Sequence, residues 1–307
     1  MEGVPIDDED LGESELWKLL PQRDGEERAD VLLALSKKAG YRGANEEALA
    51  LAETAQDIYI SLGATAADAD IANAYTGISY SLKQLNKTEE AIRVLNKAVD
   101  IYREDHYPYI DDLLRTKGIW HSELGDWEST LQCHLESTRV NEIDGNQEWL
   151  AKSLFNVGVA YSHLGNFTEA VKQHKEARKI FKELKMVQQV GRCDEALAEA
   201  YVELGEGEVA KQHAVIALDI ARTVDNRERL IWARYNLGKA HMLLEDYKAA
   251  EECFIEADLY AVCESEIDWN FLAGLLEDRI KLFRKMELAE LADQFEARLA
   301  TIREILG

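Results

Sequence analysis

The stretch SLFNVGVAYSHLGNFTEAVKQHKEARKIF, residues Ser153–Phe181, contains two amphipathic runs broken at Leu164-Gly165-Asn166-Phe167. Leu154, Val157 and Tyr161 recur at spacings of three and four, which places them on one helical face. Gly165 suits the positive φ of a helix C-terminus, and Asn166 can cap the second run, which restarts at Thr168. Gly158, Ala170 and Ala177 are small, and Leu154, Val157, Tyr161, Phe167 and Phe181 around them are large. That alternation lets two antiparallel helices approach closely while bulky neighbours fill the remaining space.

The unit repeats along the chain. One small residue per copy (Ala48, Ala91, Thr130, Ala170, Ala210, Ala250) advances in steps of 43, 39, 40, 40 and 40 residues. The loop recurs as Leu124-Gly125-Asp126-Trp127 and Leu244-Glu245-Asp246-Tyr247. A fixed period of this length makes each copy one helix pair that buries its apolar faces only by stacking on its neighbours. Length alone would suggest two domains, but the repetition predicts one continuous array. The expected fold is all-α: a right-handed superhelical α-solenoid of about seven antiparallel helix pairs. Residues 1–27 form an acidic leader with a short capping helix (Leu16, Trp17, Leu19, Leu20, stopped by Pro21). Residues 28–261 hold repeats one to six, and 262–307 a degenerate seventh repeat ending in a capping helix. On that last helix Leu288, Leu291, Ala292, Phe295, Leu299, Ile302 and Ile305 make the apolar face, with Arg284, Lys285, Arg298 and Arg303 outside.

Composition agrees with this reading. Three prolines in 307 residues is far below the usual share of about 5%, as a nearly all-helical chain requires. The net charge of −24 argues against direct nucleic-acid binding, which needs a basic footprint, and against anionic membranes. Residues 1–30 carry eleven acidic groups against Lys18, Arg23 and Arg28, a solvated leader or a lure for a basic partner. With no apolar run of transmembrane length and no signal-peptide layout at the start, an intracellular, cytoplasmic protein is expected. Cys133, Cys193, Cys253 and Cys263 form no CxxC pair and read as reduced, packed thiols.

Asn156-Val157-Gly158, Tyr161, Gly165-Asn166-Phe167, Glu169-Ala170 and Ala177 resemble the tetratricopeptide repeat nearly place for place, and Asn236-Leu237-Gly238, Tyr247, Ala249-Ala250 and Ala257 do so again. The resemblance covers roughly Ala29 to Ala257. The usual unit has 34 residues and a proline near its end. The 40-residue form without that proline is similar to the repeats of kinesin light chains, cell-polarity scaffolds and Rap-type bacterial peptide receptors. The resemblance implies that the first helix of each pair, helix A, lines an inner wall at its second, fifth, sixth, ninth, twelfth and thirteenth places. Transferred by phase, the candidate groove residues are Tyr80, Arg115, Phe155, Asn156, Val159, His163, Arg192, Glu195, Glu199, Trp232, Tyr235, Asn236 and Lys239. Asn156 and Asn236 occupy the place where related proteins hold a peptide backbone, since an amide both donates and accepts. Phe155, Trp232, Tyr235, Met242 and Leu243 are large apolar groups expected on the same wall. The clamp that grips chaperone tails needs asparagine at the ninth place, which here holds Lys37, Tyr80, Ile119, Val159, Glu199 and Lys239. The ridge of Glu195, Glu199 and Glu203 beside Arg192 instead suits a partner segment with basic and apolar side chains.

No catalytic motif stands out. His121 and His241 replace Tyr161 in their repeats, and His134 and His174 share one place on the second helix, helix B, so these read as packing residues; His163 falls near the groove edge. The expectation is a non-enzymatic scaffold without metal or cofactor that binds a protein or peptide segment as adaptor or regulator. A second expectation is a ligand-switched regulator similar to bacterial signalling-peptide receptors, although only about 28 residues precede the first repeat and leave no room for their output domain. A third is self-assembly through the terminal repeats.

Overall fold

The computed structural model describes residues 11–63, 68–104, 110–262 and 268–306. Among these, every regular element is a helix. A short α1 (Glu13–Leu19) leads through a 3-10 turn (Leu20–Gln22, which takes up Pro21) into α2 (Gly25–Tyr41) and α3 (Asn45–Leu62). There follow α4 (Asp68–Gln84), α5 (Thr88–Glu104), α6 (Ile110–Glu123), α7 (Trp127–Asp144), α8 (Gln147–His163) and α9 (Phe167–Glu183). The series ends with α10 (Val187–Glu203), α11 (Gly207–Thr223), α12 (Arg227–Leu243), α13 (Tyr247–Val262), α14 (Trp269–Lys285) and α15 (Ala289–Leu306). Even-numbered helices from α2 onward are the A helices of the repeat, odd-numbered ones the B helices.

The chain forms two compact units, Met1–Val140 and Asn141–Gly307. Within the first, α2 packs on α3, α3 on α4 and α4 on α5. Leu16 of α1 is fully buried with Val31, Ala34 and Leu35, as a capping helix requires. Within the second, α8 through α13 pack each on the next, and α14 pairs with α15. Here the A helices also touch one another in sequence, α8 with α10, α10 with α12, α12 with α14, forming one layer.

Turn chemistry sets the pairing. Gly125, Gly165 and Gly205 take φ of 74°, 75° and 76°, and Glu245 takes 60° at the equivalent place. In the quoted repeat the Gly165 and Asn166 amides donate back to the Ser162 and Tyr161 carbonyls, closing the helix end, and the Asn166 side chain accepts from the Glu169 amide to open the next. The turn geometry is therefore common to all copies, and only some of them use glycine to reach it without cost.

Close packing within each pair rests on the eighth place of helix A. A Cβ added to Gly158 would lie 2.5 Å from the His174 ring, one added to Gly118 2.8 Å from His134, and one added to Gly238 2.5 Å from Phe254. In the α10–α11 pair the same two places are Ala198 and Ala214, both fully buried in one cluster. Glycine against a ring and alanine against alanine conserve volume, which is what close-packed interiors tolerate. Hydroxyls add a second link: Ser36 donates to the Ala48 carbonyl at 2.6 Å, and Thr130 to the Gly118 carbonyl at 3.3 Å.

The C-terminal pair differs from the simple amphipathic cap expected. Ala292, Leu299 and Ile302 are buried, but Leu288, Leu291 and Ile305 stay 39%, 38% and 54% exposed. Charge ties the pair to α13. Arg279 of α14, only 6% exposed, bonds Glu251 and, at 3.1 Å, Asp258 of α13, and Arg298 of α15 reaches the same Asp258 at 3.0 Å. A buried cation with two carboxylates and the Phe295 ring 4.3 Å away meets its desolvation cost with several partners at once.

Replacing Gly158 with Ala should cost about 1–3 kcal/mol through the clash with His174, measured by urea unfolding. Combined with His174→Ala it should cost clearly less than the sum of the two single variants, because the double variant rebuilds the Ala198–Ala214 solution. Burial lowers both His134 and His174 to about 4 from an ordinary 6.5. The unfolded imidazoles take protons near pH 6.5 while the folded ones resist until near 4, so stability is complete above pH 6.5 and falls as the pH drops through that window. His174→Leu should flatten this acid-side decline of the unfolding midpoint.

Candidate functional site

The first unit shows where the A-helix places point. A cavity of about 1030 Å³ there is lined by Asp30, Leu33, Ala34, Lys37, Gly40 and Tyr41, which hold the six wall places of α2 when the repeat phase is carried back to it. Five of the six places of α4 join them: Asn73, Thr76, Gly77, Tyr80 and Gln84. Tyr80 is 40% exposed, its hydroxyl 3.1 Å from the Thr116 hydroxyl and its ring edge-on to Trp120. Arg115 sits nearby on α6 and bonds Asp112 of its own helix.

In the second unit the same places line the layer of α8, α10, α12 and α14, and many of their side chains bridge neighbouring helices. Phe155 of α8 is half-buried between the His174 ring (5.2 Å) and the guanidinium of Arg192 from α10, which stacks over it at 4.9 Å. Asn156 and Val159 are half-buried beside it, and His163 is exposed at the far end of α8. Glu195 of α10 pairs with Arg229 of α12 at 2.7 Å, and burial pushes its carboxyl up to about 7 even though Arg229 pulls the other way. Glu203 of α10 pairs with Lys239 of α12 at 3.0 Å. Between these two pairs Glu199 is exposed; crowding by the wall raises its carboxyl above the ordinary range, and Glu203 adds to that while Lys239 opposes it.

Asn236 corrects the sequence expectation. It is 3% exposed and donates to the backbone carbonyl of Glu195 at 3.5 Å. The sixth place of α12 is turned into the seam between A helices, where an amide satisfies a neighbour's backbone, so it does not face a ligand. Trp232 and Tyr235 are half-buried for a related reason. Tyr235 donates its hydroxyl to Asp278 of α14 at 2.6 Å and packs against Phe271 at 5.4 Å, and Trp232 meets Phe271 at 4.8 Å. They join the core that links α12 to α14. The wall groups with most open surface in this unit are therefore Arg192, Glu199, Glu203, His163 and Leu243, with Asn156, Val159 and Lys239 between them.

Sequence reasoning missed several residues. Asp194 is completely buried, taking the Arg178 Nε at 2.8 Å and the His213 Nδ1 at 2.6 Å, and so ties α9, α10 and α11 together. Asp278 plays the same part between α12 and α14, accepting also from Lys281 at 2.8 Å. The available signal was an acid within an otherwise apolar helical face, which burial tolerates only with partners. The Asp194–His213 pair orients a base but supplies no nucleophile. The adjacent Cys193 is fully buried, with its thiol pushed up to about 12, so it stays protonated. Cys133 and Cys253 are also free and buried, and Cys263 lies outside the described residues.

Glu195→Gln should change the pH profile of the fold. A carboxyl near 7 in the folded chain and near 4.5 unfolded contributes fully below pH 4.5 and loses that contribution as pH rises through 7. On top of the histidine-driven change, the unfolding midpoint should move more favourably from pH 5 to pH 8 in the variant than in the parent, because the variant has no carboxylate to charge there.

Comparison with known proteins agrees with this architecture. Tetratricopeptide repeat models match residues 109–183 and, separately, 72–105 and 233–260. The Tonsoku-like protein of Drosophila melanogaster is 25% identical over 137 residues, 40% of this chain, and the match spans about a tenth of that relative's length (10%). Among solved structures, the apo form of RapI superposes with a TM-score of 0.66 at 14% identity, covering 90% of this chain and 97% of that one. A Rap protein complexed with Competence and Sporulation Factor gives 0.54 at 17% identity, covering 95% and 80%. At such identities the structural likeness speaks to fold alone. The matched segments, the period and the helix pairs together show tetratricopeptide repeats in this chain.

Proposed function

We propose that the protein is a non-enzymatic intracellular scaffold that holds a segment of another protein along the A-helix face of α8, α10 and α12, as adaptor or regulator. The observation that carries this reading is the Phe155–Arg192 stack with half-buried Asn156 and Val159 beside it. An aromatic ring, a cation held over it and an amide with both donor and acceptor capacity lie within one helix-to-helix step. Glu199 and Glu203 at the other end of the same helices add negative charge, so the face suits a segment of mixed charge with apolar anchors. The Rap protein solved with Competence and Sporulation Factor supports a segment-sized ligand for a fold of this kind.

The test is a photo-crosslinking amino acid placed at Val159, compared with one at Lys179, which is exposed on helix B of the same repeat. A discrete partner adduct should form from Val159 and be lost in an Asn156→Ala, Arg192→Ala background that melts at the parental temperature. Equal labelling from both positions would refute the assignment of the face.

A further inference from the structure

The cavity of the first unit shares no residue with the face just described, so its ligand can be considered separately. Several small residues border it. The sixth places of α2 and α4 are Ala34 and Gly77, where α8 and α12 have Asn156 and Asn236 and α10 has Ala196, and the twelfth place of α2 is Gly40. A Cβ added at Gly40 would meet nothing within 4 Å. The space, about 1030 Å³, is at the upper end of what ligand sites usually offer.

Its charge is one-sided. Three carboxylates, Asp30, Asp70 and Asp112, line it against one lysine, Lys37. Arg115 answers Asp112 from the same helix. Tyr59, fully buried, donates its hydroxyl to Asp30 at 2.5 Å and so fixes that carboxylate's position. Burial, then Asp30 and Glu26, raise the Asp70 carboxyl above its ordinary range, which places negative charge around it on more than one side. The Asn73 side-chain carbonyl accepts the Tyr102 hydroxyl at 2.7 Å, which fixes its amide, and with Gln84 it brings amide groups suited to a peptide backbone. Half-buried Leu33 and the Tyr80 ring offer apolar surface for the stem of a long side chain.

The structure assigns to this cavity an extended segment of a partner protein that places an arginine or lysine side chain against Asp30 and Asp70. Charge complementarity selects the cation. The volume and the amide groups select a peptide over a free amine, which would fill little of the space.

The test uses the full chain and three probes: acetyl-Leu-Arg-Leu-amide, the same peptide with neutral citrulline in place of arginine, and spermidine. Amide spectra should show saturable shifts from the arginine peptide in α2 and α4, with the citrulline peptide at least about tenfold weaker, the loss expected for one charge-assisted contact. Asp70→Asn should weaken binding about tenfold. Gly40→Met, which fills open space on a normal helical backbone, should do the same while the melting temperature holds. Asn156→Ala should leave binding unchanged, which keeps this site distinct from the α8–α12 face. Equal binding of the citrulline peptide, indifference to Gly40→Met, or no saturation below about 10 mM would overturn the assignment. Spermidine binding as tightly as the peptide at the same amides would also overturn it, in favour of a free polyamine.

Discussion

The constraint on which most of this structure depends is how closely helix A lies on helix B at the eighth place. Gly158 has no side chain because the His174 ring occupies that space, and Gly238 has none because Phe254 does. The A helix is thereby held at a fixed depth over its partner, and its other faces are fixed with it. The same restriction leaves both His174 ring nitrogens without a hydrogen-bond partner. The imidazole is used for its shape, and its proton affinity falls as a consequence of burial.

Given that depth, neighbouring A helices are linked by polar side chains as well as by apolar contacts. Glu195 with Arg229, Glu203 with Lys239, Asn236 with a backbone carbonyl and Tyr235 with Asp278 all cross between repeats. Arrays of this kind derive stability from nearest-neighbour interfaces, so groups that resemble a ligand-binding wall also act as inter-repeat contacts. A variant in such a residue will report on stability and binding together. That is why Asn156 and Arg192, whose inter-repeat commitments are lighter, are the better probes of function.

The two units use the same wall positions differently. In the second, side chains at these places fill the space and pair with one another. In the first, alanine and glycines border an open space, with carboxylates around it. One periodic scaffold thus supports a filled, cross-linked face and an open cavity.

The sequence by itself determined the helix pairs, their period and their turns. Each of these follows from local spacing: small residues at one place per copy, and a turn residue after each helix. It also identified His134 and His174 as packing groups, because two residues in the same repeat place share an environment. What it left open was rotation by a fraction of a helical turn. Asn156 and Asn236 hold equivalent places, yet one borders the face and the other is buried under a neighbour's carbonyl. Only tertiary structure decides this, because burial at an inter-repeat seam depends on what the adjacent repeat presents there. The partners of Asp194, Asp278 and Arg279 were hidden for the same reason. Apart from Lys281, each lies on another helix, 16 to 43 residues away, and becomes a neighbour only once the pairs have stacked.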